Sequence, residues 1–154
     1  IISFGKKTQV CGCIVSERID EVEDNVFHMS SRINSTWGGN LTDMVRFTKY
    51  LEVIEEENLV QNAEIVGKYL LEKLIELGNE FPNKIRNIRG RGLMCAIDFN
   101  SPQERDIFKN KCYENGIVIL GCGEQTIRFR PALNLTKEEV DEGLGIMKKV
   151  LSKM

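Results

Sequence analysis

The sequence predicts an α/β fold. Three observations carry the prediction. Short β-rich segments alternate with helical ones along the whole chain. A run from residues 59 to 77 carries Leu59, Ala63, Val66, Leu70, Leu74 and Leu77 at helical spacing, which is the pattern of a helix with one buried face. Two further helices announce their starts through capping chemistry, Ser101-Pro102-Gln103-Glu104 and Thr136-Lys137-Glu138-Glu139.

Taken in order, residues 1–7 read as the middle of a strand followed by a turn. Residues 10–15 (Val-Cys-Gly-Cys-Ile-Val) are small, apolar and β-rich, and predict a buried strand. Residues 17–25 are charged and predict a surface loop or short helix. Residues 34–40 (Asn-Ser-Thr-Trp-Gly-Gly-Asn) form a compact turn segment. Leu41, Met44, Val45, Leu51 and Ile54 then share one helical face, and the acidic residues 55–57 end or bend that helix. Gly78, Asn79 and Pro82 predict the stop of the following helix. Residues 93–99 predict a strand. The helix opened by Ser101, with Glu104 closing a capping box, runs to about Asn115-Gly116. Residues 117–120 predict a short buried strand, residues 126–130 a half-buried one, and the Thr136 helix continues to about Ser152. A boundary is expected in the long helical stretch, between residues 1–57 and 58–154.

Composition excludes several functions. The 154 residues carry a net charge of −2, without the basic excess of a phosphate-tracking surface, so no nucleic-acid partner is expected. No apolar run is long enough to cross a bilayer, so no membrane partner is expected either. The start Ile1-Ile2-Ser3 is not a signal peptide; it suggests a fragment whose missing part lies upstream. Five cysteines at irregular spacing, with CxC rather than CxxC at Cys11 and Cys13, and a single histidine (His28, given no role), argue against a metal site. They predict reduced, mostly buried thiols in a cytoplasmic protein, with Cys11, Cys13 and Cys95 as packing residues.

Locally, nothing marks Lys6. Two adjacent lysines are ordinarily solvated, and a lysine that forms an imine obeys no local spacing rule. The chain does, however, combine SFGKKTQVCG (residues 3–12), INSTWGGNLTDMVR (33–46), RGRGLMCAIDF (89–99) and TIRFRP (126–131) in this order. Together these resemble the class III aminotransferases, and most closely the L-lysine 6-aminotransferase branch, in which Leu41 stands where other branches have proline. The resemblance extends over essentially the whole chain. It implies the aspartate-aminotransferase fold (fold type I): the end of the large cofactor-binding domain at 1–57, with its interdomain helix, and a small C-terminal α/β domain at 58–154.

The same resemblance implies pyridoxal 5′-phosphate as cofactor, held covalently by Lys6, with Lys7 as the competing lysine. It implies that Thr36 binds the phosphate of the neighbouring subunit's cofactor, hence a homodimer, and that Arg128 grips the carboxylate of a substrate such as 2-oxoglutarate. Strand alternation places Arg130 on the same face as Arg128, as rival or helper. Trp37 either walls the cofactor pocket or packs in a core. The implied reaction moves the ε-amino group of L-lysine to 2-oxoglutarate and leaves glutamate and the lysine semialdehyde. The alternatives are another ω-aminotransferase, of the 4-aminobutyrate or ornithine type, and a non-catalytic isolated fragment. The resemblance also places the aspartate for the cofactor ring nitrogen and the aromatic stacked on the ring upstream of Lys6, so the 154 residues alone are expected to be inactive.

Overall fold

A computed structural model describes residues 1–29, 31–33 and 35–154, with the side chain of Lys7 outside the described set. Ser30 lies outside it as well, as does Asn34 of the expected turn segment. The chain divides into two compact units, Ile1–Glu57 and Asn58–Met154.

In the first unit, β1 (Ile2–Phe4) pairs antiparallel with β2 (Gly12–Ile14), with Phe4 opposite Gly12. A 3-10 turn, Lys6–Thr8, joins them, and a second covers Glu17–Glu21. Helix α1 (Leu41–Glu56) begins at Asn40, whose side-chain oxygen accepts from Thr42 N at 2.9 Å. The loop between is tied by buried Asn25, which donates to the carbonyls of Ile19 and Val22 at 3.1 Å each.

The expected buried strand at 10–15 is corrected here. β2 is three residues long, and Cys11, Cys13 and Ile14 are exposed. The physical reason is that a two-stranded ribbon has no second layer of its own to bury them. Among the described residues, no apolar side chain of this unit is fully buried.

The second unit runs α2 (Leu59–Glu80), β3 (Ile85–Arg91), β4 (Met94–Phe99), α3 (Pro102–Glu114), β5 (Leu120–Cys122), β6 (Thr126–Phe129) and α4 (Lys137–Leu151). Its sheet has the order β3-β4-β6-β5, and every pairing is antiparallel. Alternation sends Cys95, Ile97, Phe99, Ile127 and Phe129 to one side. There they meet Leu70, Leu74 and Leu77 of α2, Phe108 of α3, and Val140, Met147 and Leu151 of α4 in one continuous core. Phe99 and Phe108 pack with ring centroids 4.8 Å apart.

Several expectations shift. Helix α2 does not stop at Gly78 but continues through it to Glu80. Gly78 is there for packing, since a Cβ on it would lie 2.2 Å from Ile88 Cδ1. Strand β3 is an addition; its sequence IRNIRGR has only two apolar residues, and it occupies the sheet edge, where polar side chains are solvated. The expected buried strand at 117–120 is displaced to Leu120–Cys122 and is exposed, because it forms the opposite edge. Ser101 caps α3 through Glu104 N at 3.2 Å, but the Glu104 carboxylate accepts from Asn100 at 3.3 Å instead of closing a capping box. The box at α4 is complete, with Glu139 N to Thr136 Oγ1 at 3.2 Å and Thr136 N to Glu139 Oε2 at 2.9 Å.

Two outcomes test this packing. Gly67 of α2 rests on the β3–β4 turn so closely that a Cβ would lie 2.2 Å from the Gly92 carbonyl carbon. Gly67→Ala is therefore expected to lower stability by about 3 kcal/mol in denaturant melts. Gly145 of α4 has nothing within 4 Å of such an atom, so Gly145→Ala is expected to raise stability by about 0.5–1 kcal/mol. Thiol reactivity gives the second check. Burial pushes the Cys95 thiol up and the Cys112 thiol up to about 12, whereas Cys11, Cys13 and Cys122 are exposed. Titration of the native chain with a thiol reagent at neutral pH is expected to modify the three exposed cysteines quickly, and the other two only after unfolding.

Candidate active site

Lys6 stands at the head of the 3-10 turn with φ 55, a left-handed backbone that a side chain adopts only under constraint. Its carbonyl accepts from Gln9 N at 2.9 Å and from Gln9 Nε2 at 3.3 Å, while Gln9 itself has φ 63. Thr8 Oγ1 donates to the Val10 carbonyl at 2.7 Å and closes the turn from the other side. The Lys6 side chain is exposed.

This turn is docked on α1 by two contacts. Gln9 Oε1 accepts from Arg46 Nη1 at 3.2 Å, and Arg46 also pairs with Asp43 at 3.1 Å. Phe4, two residues before Lys6, stacks on Phe47 with centroids 6.1 Å apart. Its other contact is Gly12, where a Cβ would lie 2.6 Å from Phe4 Cζ. A glycine at position 12 is thus what lets the ribbon lie flat enough to hold Phe4, and Phe4 in turn fixes where Lys6 begins.

Thr36 lies in the segment that leads into the N-terminus of the same helix, and its side chain is exposed. Gly39 takes φ 75, which turns the chain towards the Asn40 cap. The Gly38 amide is engaged by Ser35, at 3.3 Å to the carbonyl and 3.1 Å to Oγ. Thr36 stands five residues ahead of Leu41, the first residue of that 16-residue helix. Trp37 is 79% exposed, so the packed-core alternative for it does not hold within this unit. Helix α1 links the two segments, with the Lys6 turn on Arg46 and Phe47 and the Thr36 segment at its start.

Arg128 belongs to the second unit. It sits on β6 opposite Ala96 of β4 and Leu120 of β5, on the side of the sheet away from Ile127 and Phe129. It is half-buried, and its Nε is fully buried with no hydrogen-bond partner among the described residues. Arg130 follows outside the strand and is exposed. A buried guanidinium nitrogen without an acceptor is costly, and a planar carboxylate would satisfy it.

On the same side lies a polar cluster that local sequence patterns did not reveal. The Asp98 carboxylate accepts from Thr126 Oγ1 at 2.6 Å, Asn87 Nδ2 at 2.6 Å and Arg89 Nη1 at 3.0 Å. Burial pushes the Asp98 carboxyl up, but the hydrogen bonds from Thr126, Asn87 and Arg89 and the Arg89 charge outweigh it and hold the group below the usual carboxylate range. The only signal in the sequence was a charged residue inside the apolar strand MCAIDF.

Each unit thus carries its own groups, a lysine in a left-handed turn in the first and, in the second, an arginine whose buried Nε has no acceptor among the described residues. Comparison with known proteins defines the class: the class-III aminotransferase family model matches residues 1–151, and the chain belongs to that family. Within it, the chain is similar to the L-lysine-epsilon aminotransferase of Mycobacterium tuberculosis, at 47% identity over 151 residues, covering 98% of this chain and 34% of that protein. It is similar also to the L-lysine-epsilon aminotransferase of Amycolatopsis lactamdurans, at 49% identity over 145 residues, covering 94% and 32%. The solved lysine aminotransferase from M. tuberculosis superposes with a TM-score of 0.93 at 46% identity, over 98% of this chain and 35% of that one. The chain thus has the class III aminotransferase fold and spans about a third of the length of the curated relatives it matches.

The Asp98 cluster makes a stability prediction with a definite sign. A carboxyl held below its unfolded pKa contributes stability that is present above the unfolded value and lost as pH falls through the folded one. Asp98→Asn is therefore expected to cost about 2–3 kcal/mol at pH 7, and the gap between the two melting curves is expected to close as pH drops below about 4.

Proposed function

We propose that the protein carrying this chain is a pyridoxal 5′-phosphate-dependent aminotransferase that moves the ε-amino group of L-lysine to 2-oxoglutarate, giving glutamate and the lysine semialdehyde. The observation that carries this reading is the near-half identity with L-lysine-epsilon aminotransferases along almost the entire chain. In this reading Lys6 holds the cofactor through Nζ, and the left-handed turn supports that choice because it fixes where the side chain departs. When bound, the cofactor supplies an electron sink for the carbon that loses a proton. The Lys6 amine, once freed by substrate, carries the proton at the lysine Cε. Thr36 donates its hydroxyl to a phosphate oxygen of the neighbouring subunit's cofactor, so the working form is a homodimer, placed in the cytoplasm. Arg128 binds a substrate carboxylate through its guanidinium fork, which supplies the acceptor that its buried Nε lacks among the described residues.

The test uses the protein carrying this chain, with lysine and 2-oxoglutarate as substrates and glutamate formation as readout. Lys6→Ala is expected to lower kcat by about a thousandfold or more and to abolish the absorbance of covalently held cofactor, while Lys7→Ala stays within about tenfold of wild type. The reverse ranking would remove Lys6 from its role. A higher kcat/KM with ornithine or 4-aminobutyrate than with lysine would replace the donor.

A further inference from the structure

Lys6 is pinned from both sides onto neighbouring residues of one helix. Two residues before it, Phe4 stacks on Phe47 with centroids 6.1 Å apart. Three residues after it, Gln9 accepts from Arg46 at 3.2 Å. Consecutive helix residues rise by only about 1.5 Å along the axis, so both ends of the span from Phe4 to Gln9 are tied to nearly the same level of α1. Within that span Lys6 and Gln9 hold left-handed backbones, at φ 55 and 63. Side chains other than glycine's seldom sit there, so specific bonds must sustain the turn.

One of these bonds, from Gln9 N to the Lys6 carbonyl at 2.9 Å, is open to any residue with a backbone amide. The Gln9 side chain adds two that are not. Its Nε2 donates to the same Lys6 carbonyl at 3.3 Å, while its Oε1 accepts from Arg46 Nη1. A carboxamide carries a donor at one end and an acceptor at the other. Turned over, it would set donor against donor at the guanidinium and acceptor against acceptor at the carbonyl, so one orientation alone satisfies both contacts. Asp43 accepts from the same Arg46 nitrogen at 3.1 Å and holds the guanidinium in place. An unbroken chain of hydrogen bonds therefore runs from α1 through Asp43, Arg46 and Gln9 to the backbone of Lys6.

We propose that Gln9 and Arg46 are positioning residues for the Lys6 amine, acting through the amide bridge that clamps the Lys6 backbone to α1. The inference rests on Lys6 being the cofactor-holding lysine of the proposed function. The turn fixes where the Lys6 side chain leaves the backbone, and a displacement of about 1 Å at a reacting group can cost about a hundredfold in rate. Glycine at position 9 would adopt the same backbone without steric cost. The shape of the turn alone therefore does not require glutamine; the bridge does. The same amine serves both half-reactions, so a loosened turn lowers turnover while substrate affinity, set by other groups, is kept.

The test compares Gln9→Gly, Arg46→Met and the double variant in the full-length protein carrying this chain. In the holoenzyme each single variant is expected to lower kcat about tenfold, with KM for lysine and for 2-oxoglutarate within about twofold of wild type. The double variant is expected to be no slower than Gln9→Gly, because both residues act through one bridge. A readout independent of turnover is amide hydrogen exchange of the peptide 3–12 in the protein stripped of cofactor, expected to be about tenfold faster in both single variants. An unchanged kcat, a loss carried in KM, additive losses in the double variant, or unchanged exchange would each overturn the proposal. If the wild-type protein forms no glutamate, the functional reading fails by itself, and exchange alone then decides whether the bridge holds the turn. Should Gln9→Gly not fold, Gln9→Glu keeps an acceptor for Arg46 but sets an oxygen against the Lys6 carbonyl. A kcat within about twofold of wild type in that variant overturns the proposal equally.

Discussion

Helix α2 meets the β3–β4 hairpin at two glycines, and the second unit is organised around that close approach. At Gly67 the helix backbone lies against the Gly92 carbonyl, and at Gly78 it receives the tip of Ile88. A side chain at Gly67 would push the helix off the hairpin backbone, and one at Gly78 would force the end of Ile88 to move. The approach brings Leu70, Leu74 and Leu77 down onto Ile85, Ile97 and Phe99, and lets α4 close the core with Met147 and Leu151. Interiors packed to this density transmit displacement rather than absorb it. The hairpin is therefore held in one register, including the β3 bulge between Arg86 and Arg89, and β6 with Arg128 is paired against a strand that cannot slide.

How much of this was legible depends on how local the governing chemistry is. The starts of α3 and α4 were readable because Ser101 and Thr136 act on amides three residues away. The long stripe of α2 was readable because its period is set by helix geometry. Strand β3 was not, since its bulge breaks the alternation that identifies a strand and its charges suit an edge. The Asp98 cluster was invisible for a different reason. Its donors come from residues 9, 11 and 28 positions away, and only sheet pairing brings them together. Gly78 misled because glycine both ends helices and permits close packing, and only the neighbour at Ile88 decides between the two.

For the candidate site, the resemblance singled out Lys6, Thr36 and Arg128 where composition could not. The structure adds physical detail that those residue types do not carry themselves. Lys6 has a left-handed backbone, supported by both the amide and the side chain of Gln9. Thr36 stands ahead of the capped end of α1, but beside a Gly38 amide that is already occupied. Arg128 has a buried nitrogen without an acceptor among the described residues. The apolar run around Cys11 and Cys13 read as core from its residue types, yet burial is a property of layers, and the ribbon has only one.

That contrast between the units has a thermodynamic consequence. Ordering the backbone costs about 1–2 kcal/mol per residue, and the second unit offsets this from its own core. The first unit leaves Ile2, Ile14, Phe27, Trp37, Leu41 and Leu51 exposed and, among the described residues, fully buries only Asn25. Its ordered form depends on whatever covers those surfaces, and any ligand that binds only that form adds to its stability by mass action. Amide hydrogen exchange would therefore separate the two units. Around Lys6 the free energy of local opening follows the surroundings, and around Arg128 it follows the protein's own interior.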